Sequence, residues 1–165
     1  MGRFRMGYAI LKKGDQAPAF TLPNQGGNSV SLRDFMGKWV VLYCYPKDDT
    51  PGCTVEAIDF TKNMSAFSKL NAVVLGLSPD NEKSHCKFIE KHHLQITLLC
   101  DPGHTYLKKL GVWRKKSFLG KRFMGVVRST FIIGPKGKIA KAMYGVKPVG
   151  HAGEVLALMK DLTKM

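Results

Sequence analysis

The chain has 165 residues, 44% of them hydrophobic and 23% charged, which indicates one globular domain with a buried core. This composition excludes a largely disordered chain, and no apolar stretch reaches the roughly 20 residues that a membrane-spanning helix requires. The formal net charge of +14 suits nucleic acid, an anionic surface or an acidic protein as a partner.

The N-terminal segment is basic and carries no recognisable targeting signal. Its apolar run, Tyr8–Leu11, is shorter than the roughly 7–15 residues of a secretory signal. Gly2 begins a myristoylation pattern, but Met6 stands where that pattern requires Ser or Thr, and Met6 is itself an alternative start. We expect residues 1–12 to be an N-terminal extension and residues 13–165 to form a single domain.

The rest of the chain alternates predicted strands and helices. Continuous apolar runs are typical of buried strands, and apolar residues at helical spacing predict the helices. Strands are predicted at 19–24, 29–32, 39–45, 72–77, 96–99, 126–133 and 138–144, and helices at 54–70, 81–93, 105–110 and 152–162. This order predicts an α/β, thioredoxin-like fold with a mixed central sheet flanked by helices and an N-terminal β-hairpin.

Cysteine usage indicates a reducing compartment. Cys44, Cys53, Cys86 and Cys100 form no Cys-x-x-Cys pair, which argues against a zinc site and against a thioredoxin-type dithiol. Isolated cysteines in such a chain are more often buried thiols or catalytic groups than structural disulfides. We therefore expect a cytoplasmic protein.

Cys53 is the strongest candidate for a reactive group. It follows a buried strand and a turn-rich loop, at the point where a helix is predicted to begin. Free backbone N–H groups and the positive end of a helix favour the thiolate, which is the nucleophilic form of cysteine. Thr50 can turn its hydroxyl toward the same point, while Pro46 and Pro51 stiffen the loop. The alternative is that Cys53 is simply a small residue at the start of a helix.

The spacing Pro46-x-x-x-Thr50-x-x-Cys53 resembles the active-site signature of the peroxiredoxins. The longer string from Tyr45 to Ala57 is similar to the peroxiredoxin Q branch, also called bacterioferritin comigratory protein. The resemblance runs from about Lys13 to Leu162, and it implies the thioredoxin fold.

By this resemblance, Cys53 is the peroxidatic cysteine, whose thiolate attacks hydrogen peroxide or an alkyl hydroperoxide and becomes a sulfenic acid. Thr50 and the backbone N–H of Cys53 would hold the peroxide oxygens, and Arg128, early in a predicted core strand, would face the thiolate. Pro46 belongs to the same motif. Glu56 either orients Arg128 or is an exposed carboxylate in the first helical turn. The resemblance implies no cofactor and no metal.

The sequence departs from the family at the resolving cysteine. Many members of the branch carry it five residues after the peroxidatic one, where this chain has Ile58. A second group carries it on the following helix, and Cys86 lies on that predicted helix. Either Cys86 or an external thiol would then resolve Cys53, with thioredoxin or a similar thiol as the reductant. Cys44 and Cys100 are expected to be inert. The branch is often monomeric.

The histidines and a basic segment of the sequence allow other interpretations. The five histidines have no ligand-like spacing, so a metal site is not expected among His85, His92, His93, His104 and His151. The basic segment 113–122 is either a nucleic-acid patch or a solvated loop, and the loop is favoured. The competing functions are a basic binding protein on a thioredoxin-like scaffold and a thiol–disulfide oxidoreductase. We expect neither nucleic acid nor a membrane as a partner.

Overall fold

The computed structural model describes residues 4–5 and 8–164. The pattern that concerns Gly2 and Met6 lies outside the described residues. The strands are β1 Phe4–Arg5, β2 Tyr8–Ala9, β3 Thr21–Pro23, β4 Ser29–Ser31, β5 Trp39–Cys44, β6 Ala72–Ser78, β7 Thr97–Cys100, β8 Trp113–Phe118, β9 Lys121–Val126, β10 Ser129–Ile133 and β11 Ile139–Tyr144. The α-helices are α1 Pro51–Lys62, α2 Met64–Lys69, α3 Glu82–His92, α4 Thr105–Lys109 and α5 His151–Leu162, and Leu32–Phe35 forms a 3-10 turn.

A five-stranded mixed sheet organises the molecule. Its strand order is β11-β10-β5-β6-β7; β5, β6 and β7 are parallel, and β10 is antiparallel to both β5 and β11. The central strand β5 has five consecutive buried residues, as expected for a strand that is covered on both faces. The predicted thioredoxin-like α/β architecture is therefore confirmed.

Side chains alternate along β5 and divide the core into two clusters. Val40, Leu42 and Cys44 pack in one cluster with α4, while Val41 and Tyr43 pack in the other with α1 and α5. Cys53 belongs to the second cluster, on the α1 side of the sheet. The end of β5 thus delivers the following loop and the start of α1 to one edge of this cluster.

The prediction of one helix at 54–70 is wrong, because the helix begins earlier and the region forms two helices. The helix begins at Pro51, because Thr50 occupies the N-cap position in extended conformation and proline is well suited to the first helical position. It ends at Lys62, since the backbone of Asn63 leaves helical geometry (φ −100°, ψ 5°) and its side-chain amide donates to the carbonyl of Asp59. A second helix, α2, starts directly afterwards.

The predicted single strand at 126–133 is also wrong. Residue 126 ends β9, and β10 begins only at Ser129. Arg128 therefore lies in the link before the core strand rather than within it. The N–H of Val127 donates to the carbonyl of Val112, and the N–H of Val146 donates to the carbonyl of Arg128, so the link is tied to its neighbours instead of to a strand ladder.

The basic segment at 113–122 is not a solvated loop. Strands β8 and β9 form an antiparallel hairpin that pairs Trp113 with Val126 and Phe118 with Lys121. Leu119 and Gly120 make the two-residue turn, both at positive φ, which is the geometry of a tight hairpin turn. None of the helices in the described part of the chain is long and apolar enough to cross a membrane.

The N-terminal segment contacts the predicted domain. The hydroxyl of Tyr8 accepts a hydrogen bond from the N–H of Lys115 (2.9 Å), and the N–H of Leu11 donates to the hydroxyl of Tyr144 (3.0 Å). Gly111, at φ +77°, faces the carbonyl of Ala9 so closely that a β-carbon there would overlap it. The boundary at residue 13 stays a prediction.

Candidate active site

Cys53 is the third residue of α1 and is 1% exposed. The first helical hydrogen bond at this end runs from the N–H of Thr54 to the carbonyl of Thr50 (2.8 Å), so the N–H groups of Gly52 and Cys53 precede it. The sulfur therefore sits at the positive end of the helix, where negative charge is stabilised. This placement agrees with the position expected from the sequence.

Arg128 brings a permanent positive charge to the same sulfur. Its Nη2 donates a hydrogen bond to Cys53 Sγ over 3.4 Å, although the two residues are far apart in the chain. Gly52 makes this approach possible: a β-carbon at Gly52 would lie 3.2 Å from Arg128 Nη2 and 3.2 Å from a ring carbon of Pro148. The structure thus brings together Cys53 and Arg128, as the sequence predicts.

Glu56 holds the other nitrogen of the same guanidinium. Arg128 Nη1 donates to Glu56 Oε1 over 2.7 Å, and the Glu56 side chain is fully buried, so the alternative of an exposed carboxylate is wrong. Burial raises the pKa of Glu56 to about 7, against the opposing effect of Arg128. Burial thus opposes the ionisation of Glu56, while Arg128 favours it.

Tyr43 completes the buried ionisable groups around the sulfur. Its pKa is raised well above the ordinary value, first by burial and then by the negative charges of Glu56 and Cys53. The Tyr43 hydroxyl and Glu56 Oε2 are both buried and have no hydrogen-bond partner among the described residues. Tyr43 is not singled out by the sequence analysis, because a tyrosine within an apolar strand looks like an ordinary core residue.

Thr50 and Pro46 lie in the loop between β5 and α1. The hydroxyl of Thr50 donates to the carbonyl of Lys47 over 2.8 Å, so its proton is directed into the loop and not toward the sulfur. Its oxygen keeps lone pairs that can accept a further hydrogen bond. Pro46 lies two residues after the buried end of β5 and is half-buried.

The other three thiols are placed differently. Cys86 lies on α3, is half-buried, and donates to the backbone carbonyl of Gln25 over 3.0 Å. Cys44 and Cys100 are fully buried at the ends of β5 and β7. Burial raises the pKa of Cys44 well above its ordinary value and that of Cys100 to about 12. Both therefore remain protonated thiols, in line with the expectation that they are inert.

A buried polar cluster fastens the loop before α1 to the start of α3. Asp48 Oδ1 accepts from the hydroxyl of Tyr45 (2.6 Å), and Oδ2 accepts from the hydroxyl of Ser84 (2.7 Å). The backbone N–H of Asp48 donates to Asp80 (2.8 Å). His85 Nδ1 lies 2.7 Å from Asp48 Oδ2, and its Nε2 donates to the carbonyl of Leu99 over 2.9 Å.

Each ring nitrogen of His85 faces an acceptor, which favours the protonated form. Burial disfavours the charged form, but the hydrogen bond and the charge of Asp48 outweigh burial, and the pKa of His85 is raised from its ordinary value. Asp48, Asp80 and His85 lie close enough together to hold a metal ion. Nε2 donates to the carbonyl of Leu99, so Nδ1 is the ring nitrogen that a metal would use, and in this structure Nδ1 faces the Asp48 carboxylate. The hydrogen bonds already account for the cluster.

The spacing of the histidines in the sequence does not reveal this cluster. Asp48 and His85 are 37 residues apart in the chain, so no local pattern links them. The available signal was the row of polar residues at the ends of β5 and β6, which in parallel strands meet at one edge of the sheet.

Comparisons with known proteins agree on one family. The sequence model of the AhpC/TSA family matches residues 13–142. Peroxiredoxin Bcp of Bacillus subtilis (strain 168) is 44% identical over 154 residues, which cover 93% of this chain and 98% of that protein. Peroxiredoxin Bcp of Escherichia coli (strain K12) is 43% identical over 151 residues, which cover 92% of this chain and 97% of that protein.

Solved structures give the same result. A mutant of PrxQ from Xylella fastidiosa superposes with a TM-score of 0.89 at 35% identity, covering 93% of this chain and 98% of that one. The bacterioferritin comigratory protein of Xanthomonas campestris, described for its alkyl peroxide reduction activity, superposes with a TM-score of 0.84 at 39% identity, covering 88% and 92%.

The Asp48–His85 pair predicts a pH dependence of stability. A raised pKa means that the native state holds the proton more tightly, so the stabilisation is complete below about pH 6.5 and is lost as pH rises through the folded value. We expect the free energy of unfolding of wild type to exceed that of His85→Gln, and the difference to shrink between pH 6 and 9. Urea titrations at each pH measure it. The titration of Glu56 is common to both proteins, so a difference that stays constant would contradict the assignment of the charge.

Proposed function

Because the chain belongs to the AhpC/TSA family and is a peroxiredoxin, a thiol-dependent peroxidase, we propose that Cys53 is its peroxidatic cysteine. The single observation that supports this assignment best is the contact between Arg128 Nη2 and Cys53 Sγ at the start of α1. Among the residues that the structure describes, none forms a feature that favours a basic binding protein without peroxidase activity.

The reaction moves negative charge away from sulfur. The Cys53 thiolate attacks the distal oxygen of the hydroperoxide, an S–O bond forms, and the O–O bond breaks with its electron pair on the leaving oxygen. That oxygen takes up a proton and departs as water or an alcohol, and Cys53 is left as a sulfenic acid. The Arg128 guanidinium and the N–H of Cys53 are fixed donors that stabilise this charge without reorganising.

We assign complementary roles to the loop and to Glu56. The Thr50 oxygen is free to accept a hydrogen bond from the peroxide, since its own proton is engaged by Lys47. Glu56 holds Arg128 through Nη1 and leaves Nη2 for the sulfur and the substrate. Pro46 and the Asp48 cluster keep the loop in place.

Replacement of the sulfur tests the assignment. In Cys53→Ser, consumption of hydrogen peroxide should fall by at least about 10³-fold, because an alcohol cannot form the nucleophilic anion at neutral pH. The matched control is Cys100→Ser, whose buried thiol lies on β7 and should leave turnover within about threefold. Peroxide loss followed with a coupled thiol reductant gives both numbers. Full activity in Cys53→Ser would refute the proposal.

Cys86 is proposed as the resolving cysteine. It is half-buried on α3, whereas Cys44 and Cys100 are enclosed in the sheet. In this step the Cys86 thiolate attacks the sulfenic sulfur, an S–S bond forms, and hydroxide leaves and is protonated to water. A disulfide requires Cα atoms about 4.4–6.8 Å apart, so we expect the start of α1 and α3 to loosen before it forms.

Peptide mapping tests the resolving step. One equivalent of peroxide should convert wild type to a Cys53–Cys86 disulfide, while Cys86→Ser should accumulate sulfenic and then sulfinic Cys53. Mass spectrometry of the non-reduced peptides distinguishes these products. Sulfenic Cys53 in wild type, with no disulfide, would assign resolution to an external thiol instead and leave the role of Cys53 unchanged.

The reductant is proposed to be a dithiol protein of the thioredoxin class with an acidic docking face. Lys83 and Lys87 are exposed one turn apart on α3, the helix that carries Cys86. They line a cavity of about 530 Å³ together with Asp48 and Asp49 from the loop before Cys53. Positive charge on the helix that carries Cys86 would speed the encounter with an acidic partner.

Charge reversal tests this docking face. Lys83→Glu/Lys87→Glu should lower kcat/KM for the reductant about tenfold at low salt, and the loss should shrink as salt rises. The control, Lys136→Glu/Lys141→Glu, reverses the same number of positive charges, one just before β11 and one on it. Strand β11 is the edge of the sheet opposite β7. Oxidation of Cys53 by peroxide without reductant should be equal in both. Equal losses in the two variants would contradict a local docking face.

We propose that the enzyme is a monomer, as the resemblance to the peroxiredoxin Q branch implies. We also propose a reducing compartment such as the cytoplasm, because the four cysteines are isolated in the sequence and form no Cys-x-x-Cys pair.

A further inference from the structure

Lys116 is partly buried in the hairpin of β8 and β9, unlike the other lysines of that segment. Its Nζ donates to the backbone carbonyl of Val126 over 2.9 Å. The side chain reaches this carbonyl across Gly125: a β-carbon at Gly125 would lie 3.0 Å from Lys116 Cδ. The absence of a side chain at Gly125 therefore opens the path along which Lys116 extends.

The carbonyl that Lys116 holds lies just before Arg128 in the chain. The link between β9 and β10 has no ladder of its own, and hydrogen bonds from its surroundings fix it. The Val127 N–H donates to Val112, and the Ser129 hydroxyl donates to the carbonyl of Val127 (2.7 Å). Lys116 holds Val126, the residue just before this link, and Arg128 is the last residue of the link.

The charge of Lys116 also acts on the reacting groups. Its pKa is lowered from the ordinary value, first by burial and then by repulsion from Arg128, while Cys53 acts in the opposite direction. Among the described residues, Arg128 contacts Cys53 directly, Glu56 contacts Arg128, and the charge of Cys53 acts on Tyr43. Lys116 adds a second positive charge that interacts with Arg128 and Cys53, from a different element than Arg128.

Resting on the function proposed above, we propose that Lys116 is a positioning residue for the peroxidatic step. Its ammonium fixes the Val126 carbonyl, and with it the link that presents Arg128, and it adds a second positive charge to the field at Cys53. The adjacent Lys115 provides a matched comparison, because successive residues of a strand point to opposite faces. Lys115 is exposed and pairs with Met124.

Two measurements separate this role from a purely structural one. The first is the second-order rate of Cys53 oxidation by hydrogen peroxide in a single turnover without reductant. The second is the pH at which half of Cys53 reacts with iodoacetamide, followed by mass spectrometry of the Cys53 peptide. A structural anchor alone would not change the alkylation midpoint, whereas loss of a nearby positive charge would move it to higher pH.

Lys116→Met should lower the oxidation rate about tenfold and raise the alkylation midpoint, a smaller effect than removal of a direct oxyanion donor. Lys115→Met should leave the rate within about twofold of wild type and the midpoint unchanged. Lys116→Arg keeps the charge and a donor, and it should recover the midpoint and most of the rate. It also keeps the test decisive should the methionine variant fold poorly.

The proposal is overturned if Lys116→Met oxidises at the wild-type rate, or if its rate falls with no change in the alkylation midpoint. It is also overturned if Lys115→Met produces the same changes. These outcomes differ from failure of the proposed function, which would appear as peroxidase activity in Cys53→Ser. The alkylation midpoint is measured without peroxide, so it reports on Lys116 in either case.

Discussion

The site depends on one guanidinium shared between a buried carboxyl and a buried sulfur. Arg128 contacts Glu56 through Nη1 and Cys53 through Nη2, and its side chain is only 15% exposed. A fully ionised Glu56 would compensate the charge of Arg128 and weaken its attraction for a thiolate. Burial raises the pKa of Glu56 to about 7, which opposes its ionisation and so limits this compensation.

Hydrogen bonds of Asp48 connect the loop before α1 to α3, the helix that carries Cys86. Asp48 ties the loop before α1 to Ser84 and His85, the two residues that directly precede Cys86. The disulfide proposed between Cys53 and Cys86 would therefore require these hydrogen bonds to change. His85 is suited to this role, because the strength of its contact with Asp48 depends on a proton.

The sequence predicts those parts of the structure that depend on residues close together in the chain. The buried run before Pro46 and the turn-rich loop were enough to place Cys53 at a helix start. The hairpin at 113–126 was missed because its strands carry lysines and arginines on both faces and turn at Leu119-Gly120, without the usual Asn or Asp. The pairing of Asp48 with His85 and the link that carries Arg128 depend on tertiary contacts, for which a single sequence gives no spacing.

Cys44 and Cys53 show that equal burial can leave two thiols in opposite electrostatic surroundings. Cys53 and Cys44 are equally buried, at 1% and 0% exposed. Around Cys44, burial and the negative charges of Glu56 and Asp101 raise the pKa and keep the thiol protonated. Around Cys53, a guanidinium and free helix N–H groups face the sulfur instead. Burial therefore acts differently on the two residues. It favours the protonated form of Cys44, and it strengthens the attraction between Arg128 and a thiolate at Cys53, because burial increases the effect of the nearest charge.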